Sequence, residues 1–121
     1  MTSFAEQVGG VGAMILTHVT DFERETDNLR RLLDGAVSDQ VRKVTAARDR
    51  LSVGGDELRK AAGSDRLAKA NALNQALDDY REEMQRLSDL IDEMHVITDR
   101  RNAALPDFRR WALGQHAGAE R

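Results

Sequence analysis

The fold turns on the stretch SDRLAKANALNQALDDYREEMQRLSDLIDEMHVITDRRNAAL, Ser64 to Leu105. It contains neither Gly nor Pro, the two residues that most disfavour a helix interior. Leu73, Leu77, Tyr80, Met84, Leu87, Ile91 and Met94 recur in alternating steps of four and three. This is a heptad seam, and it predicts a helix that lies along other helices. At about 1.5 Å per residue the helix is about 60 Å long, so its seam needs partners over most of that length. After Met94 the next two slots fall on Thr98 and Arg101, and the seam turns polar.

Towards the N-terminus, Gly63 ends the preceding helix and Ser64 caps this one, a tight connection that makes the two antiparallel. That preceding helix is expected over 37–62, with Ser38 as cap and a seam of Val37, Val41, Val44, Ala47, Leu51, Leu58 and Ala62. Gly54-Gly55 marks a kink, with the phase kept because Leu51 and Leu58 are seven residues apart. A first helix is expected over 3–34, opened by a Ser3/Glu6 capping box and closed at Asp34-Gly35. Its seam reads Phe4, Val8, Val11, Ile15, Val19, Phe22, Leu29 and Leu33, with Thr26 filling one slot. The steps of four at Val11–Ile15–Val19 are a stutter that locally unwinds a supercoil. Gly9, Gly10 and Gly12 predict either a frayed start or a small-residue face that admits a close neighbour.

Towards the C-terminus, Pro106 stops the long helix and opens a short one over 106–113, with Phe108 and Trp111 on one face and Arg109 and Arg110 opposite. The expected fold is therefore all-α. It is an elongated antiparallel three-helix bundle or coiled coil over 1–104, followed by a short basic amphipathic helix and tail over 105–121. Acid-before-base pairs four apart, Asp27–Arg31, Asp39–Lys43, Asp56–Lys60, Asp65–Lys69 and Glu82–Arg86, are expected to lace the solvated faces.

Composition narrows the functions. Aromatic residues are 4% and charged residues 32% of the chain, which suits thin Leu/Ala/Val/Met seams rather than a deep core. The formal net charge of −3 divides unevenly: residues 100–121 carry +3 and the rest −6. An acidic body with a basic end argues against coating nucleic acid along its length. The absence of Cys excludes disulfides, thiolate catalysis and Cys-based zinc sites. No apolar run reaches the roughly 18 residues of a membrane span. Met1 to Leu16 has no Lys or Arg ahead of its apolar part, so a Sec-type signal is not expected. The cytoplasm is the expected compartment, and signal-independent export is compatible with it. Leu32-Leu33-Asp34-Gly35-Ala36 lacks the Trp-x-Gly turn of type VII secretion substrates, and no motif assigns the chain to a family.

No catalytic residue or cofactor is expected. Gly9-Gly10-Val11-Gly12 lacks the Lys and Ser/Thr of a phosphate loop. Asp92, His95 and Asp99 share one helical face, a carboxylate–His spacing used in di-iron bundles, but the matching second helix is missing. A His hydrogen-bonded to a neighbouring carboxylate is the simpler reading. The expectation is a non-enzymatic protein–protein interaction protein: an adaptor, export-type chaperone or structural coiled-coil subunit. Its partner, another protein or a second copy, is expected on Leu87, Ile91 and Met94, where helix three outruns helix two, and on Phe108, Arg109, Arg110 and Trp111. The alternatives are a nucleic-acid-associated helical protein using the C-terminal Arg pairs and a metalloprotein centred on His95.

Overall fold

The structure, a computed structural model, describes residues 4–109. The order is α1 (Phe4–Leu32), a π-helical turn (Leu33–Val37), α2 (Ser38–Lys60) and α3 (Asp65–Ala104), with no strand among the described residues. Ser3, Arg110, Trp111 and the rest of the expected final helix lie outside them.

The expected reversal at Asp34-Gly35 is absent. Leu32 and Ser38, which bracket the segment, both hold right-handed helical angles, so α1 passes into α2 without leaving the helical state. The fold is thus a long first helix followed by a second, α3, rather than three helices joined by two reversals. Asp-Gly is a stop signal only when the following residues turn away; here Ala36-Val37-Ser38 resume the helix.

The π-helical turn has a cause in the packing. On α1 the half-buried positions include His18, Phe22, Glu25, Leu29 and Leu32, in steps of four and three. On α2 they run Val37, Gln40, Val44, Ala47, Leu51, Gly54, Leu58 and Ala61, again in steps of three and four. The first series continues to position 36, whereas the second begins at 37. One residue is therefore extra, and a π-helical turn absorbs one. The Ser38 N–H reaches the Leu33 carbonyl, five residues back, which is the hydrogen bond of that wider turn.

The chain reverses once among the described residues, between α2 and α3. Ala61 is extended, its N–H bonds to the Leu58 carbonyl at 3.2 Å, and Gly63 takes φ 63°, a left-handed conformation in which a Cβ is strained. The helix expected to stay continuous across Gly54-Gly55 does so, and α2 runs through both.

Two compact units divide the chain. One gathers Met1–Arg30 and His95–Arg121, the other Arg31–Met94. In the second unit, Ala47 is fully buried and Gln40 is 6% exposed. A Cβ built on Gly54 would stand 3.3 Å from Leu73 Cδ1 and 3.8 Å from Leu73 Cα, so α2 and α3 come into backbone contact there. Ala47 and Gly54, seven apart, make that approach possible. In the first unit, Ile97 is 8% exposed. Gly10 and Gly12 are helical, and a Cβ on either would meet nothing within 4 Å, so neither serves a close approach within the chain.

The ion pairs also shift from expectation. Arg86 pairs with Glu83 at 2.8 Å rather than Glu82, Arg59 with Asp56 at 3.0 Å, and Arg42 with Asp39 at 3.1 Å, each three residues apart instead of four. Lys69 is half-buried and crosses to Glu57 on α2 at 3.0 Å rather than turning back to Asp65.

Candidate functional site

The α3 seam carries the main correction to the sequence reading. Its half-buried or buried positions include Leu73, Ala76, Tyr80, Glu83, Leu87, Leu90, Met94, Ile97, Arg101 and Ala104, with Leu77 and Thr98 half-buried beside them. Leu73, Tyr80, Leu87 and Met94 keep the expected places. Ala76, Glu83, Leu90 and Ile97 alternate with them, one residue before the expected slots; of those slots Met84 and Ile91 are exposed, whereas Leu77 and Thr98 are half-buried as expected. Hydrophobicity favours Met84 over Glu83, but the close helix approach at Ala47 and Gly54 sets the rotation of α3 instead. Gln40 then provides Glu83 with a partner. On α2 the same rotation puts Gln40 inside, in place of Val41, and Ala61 in place of Ala62.

Met84 and Ile91, displaced to the surface, form a row with the half-buried Leu77. Leu77, Met84 and Ile91 are seven apart and lie beside the α3 seam, with Met84 and Ile91 each 40% exposed. Val41, beside the α2 seam, is 46% exposed. In an antiparallel pair, positions one residue after the seam on each helix fall on the same side of it. Val41 therefore shares a face with Leu77, Met84 and Ile91. Of the expected partner residues, Ile91 belongs to this row, whereas Leu87 and Met94 are half-buried in the seam itself.

The distal part of α3, expected to lack an intrachain partner, has one. His18 on α1 donates from Nδ1 to the Ala104 carbonyl at 3.0 Å, and its ring meets Phe108 edge-on with centroids 6.0 Å apart. The Arg101 guanidinium carbon lies 5.6 Å from the centre of the Phe22 ring. Of the polar slots after Met94, Arg101 thus sits over Phe22 of α1, and Phe108 packs against His18. Asp107 Oδ1 accepts the Arg109 N–H at 3.0 Å in the manner of a helix cap, and Phe108 and Arg109 are helical, two residues after the expected start at Pro106. Arg109 itself is exposed.

For the alternative chemistries, His95 is exposed on α3, and no group of three His, Cys, Asp or Glu is placed to hold a metal ion among the described residues. Among the basic pairs, Arg101 faces Phe22 and Arg30 lies 3.9 Å from Asp27. No described helix is long and apolar enough to cross a membrane. Gln40, Gly54 and His18 are the packing residues that hydrophobic periodicity passes over. A polar or Gly residue at heptad spacing from Ala47, and a His beside a seam, are the signals that mark them. Comparison with protein-family models, curated proteins and solved structures finds no match.

Proposed function

We propose that the protein is a non-enzymatic protein–protein interaction protein, an adaptor, export-type chaperone or structural coiled-coil subunit, that completes its core with a helix from outside the chain. The observation that carries this reading is the imbalance of burial. Among the described residues Ala47 and Ile97 are the buried apolar ones and no large side chain is fully enclosed, while Leu33, Val41, Met84 and Ile91 stay about two-fifths exposed or more. Stable domains bury each helix stripe against another layer, and a pair of helices has only one seam with which to do so. The three-helix arrangement read from the sequence is then completed in trans, and the cytoplasm is the compartment this reading assumes.

The test is a photo-crosslinking residue placed at Met84 or Ile91 in the native host, with Glu82 as the control site. Discrete crosslinked proteins at the first two positions and none at the control are expected. The same background at all three sites would overturn the reading.

A further inference from the structure

The hairpin of the Arg31–Met94 unit has two unlike sides, and the difference points to the kind of partner. Heptad phase places Val41 and Arg48 of α2 on the same side as Leu77, Met84, Ile91 and Arg81 of α3. The remaining positions there, Ser38, Thr45, Ser52 and Gly55 on α2 and Ala70, Asn74 and Ser88 on α3, are uncharged, and Arg59 is a third Arg. No Asp or Glu falls on this side between Ser38 and Ile91. The opposite side carries Glu57, Asp79, Glu82 and Glu93 among its own Lys and Arg residues, as a solvated face does.

We infer that this side is the seat of an amphipathic helix from another protein, whose apolar stripe lies on Val41, Leu77, Met84 and Ile91 and whose flanking carboxylates meet Arg48 and Arg81. The inference rests on the interaction reading above and names its partner chemistry. The row from Leu77 to Ile91 covers fourteen steps of helix rise, about 21 Å, so the partner contributes about four turns. The two arginines are available: Arg48 stands 3.7 Å from Asp49 and Arg81 3.9 Å from Asp78, long exposed pairs that exchange readily for a better-placed carboxylate. A second copy offering the same face is disfavoured, because it brings Arg48, Arg59 and Arg81 of both copies together while the carboxylates beside them, Asp49, Asp56 and Asp78, are already taken up by those same arginines.

The experiment uses the full chain and two synthetic helical peptides of about four turns with one shared Leu stripe, flanked by Glu in one and by Lys in the other. Fluorescence anisotropy is expected to show the Glu-flanked peptide binding at least tenfold more tightly, with affinity falling as salt rises. The doubly substituted chain R48E/R81E, altered only at exposed positions, is expected to reverse the preference, and M84D/I91D to lose both peptides. R86E on the opposite side is expected to change affinity less than twofold. Equal affinity for the two peptides, or binding that survives M84D/I91D with helicity intact, would overturn the proposal. Sedimentation showing a dimer dissolved by M84D/I91D would also overturn it, in favour of a second copy, while leaving the interaction reading in place. A crosslinked partner from Met84 that lacks an acidic amphipathic helix would do the same.

Discussion

Gln40 on α2 reaches Glu83 on α3 twice through one amide nitrogen, donating to the main-chain carbonyl at 2.9 Å and to carboxylate Oε2 at 2.6 Å. It is the buried polar residue of the described chain, and it occupies a seam position seven residues before Ala47. A polar residue at one such position fixes the register of a helix pair, because slipping by a turn leaves it without a partner. Gln40→Ala removes both bonds and leaves a small void, so unfolding free energy is expected to fall by about 1–3 kcal/mol. Gln40→Leu restores apolar volume and is expected to recover most of that loss, since the Glu83 carboxylate keeps Arg86 at 2.8 Å. Denaturant melts of the two variants check this; a Leu variant as weak as the Ala variant would contradict it.

The paired glycines of α2 are expected to respond differently although they are neighbours. A Cβ at Gly55 meets nothing within 4 Å, so Gly55→Ala gains the helix preference of Ala, up to about 1 kcal/mol. A Cβ at Gly54 comes 3.3 Å from a Leu73 methyl, which must swing aside, so the same gain is largely offset. Gly54→Leu also forces the backbones apart and is expected to cost about 1–3 kcal/mol. Thermal melts should rank Gly55→Ala above the native chain, Gly54→Ala near it and Gly54→Leu well below.

His18 and Phe108 hold the end of α3 to α1 through a hydrogen bond to Ala104 and an edge-on ring contact. Phe108→Ala removes the ring contact and His18→Ala removes both ties, each at about 1 kcal/mol of local stability or more. The segment around Arg100, Arg101 and Arg109 should then open more often and be cut faster by trypsin, by about fivefold for each variant. Cutting at the native rate in both would show that these contacts do not hold the segment.

The sequence made the helical class, the α2–α3 reversal and half of the α3 seam legible, because Gly63, the Gly- and Pro-free run and the Leu spacing each act locally. The rotation of α3 was not legible. Met84 and Glu83 compete for one slot, and the outcome depends on how closely α2 can approach, which Ala47 and Gly54 decide from another part of the chain. For the candidate site the same holds: Ile91 was found by periodicity, whereas Val41 and Met84 emerge as surface only once that rotation is known. The continuity of α1 and α2 was hidden for a different reason. Asp34-Gly35 is a strong stop signal, and what overrides it is the offset between two seams, a relation that spans some forty residues.

That offset yields the last prediction. If the π-helical turn exists to absorb one surplus residue, deleting Gly35 leaves an ordinary α-helix with both seams in phase, because position 37 becomes the 36 that the α1 series calls for. The Gly35 deletion is expected to keep full helicity by circular dichroism and a melting temperature at or above that of the native chain, since a Gly is lost from a helix interior as well. Deleting Thr45, an exposed residue of similar size within α2, instead rotates everything before it by about 100° relative to everything after it. It moves Gln40 off the seam while Ala47 stays, and a broad, early melt is expected. Should the Gly35 deletion melt as poorly as the Thr45 deletion, the turn would be holding α1 and α2 at an angle that an unbroken helix cannot supply, and the phase argument would fail.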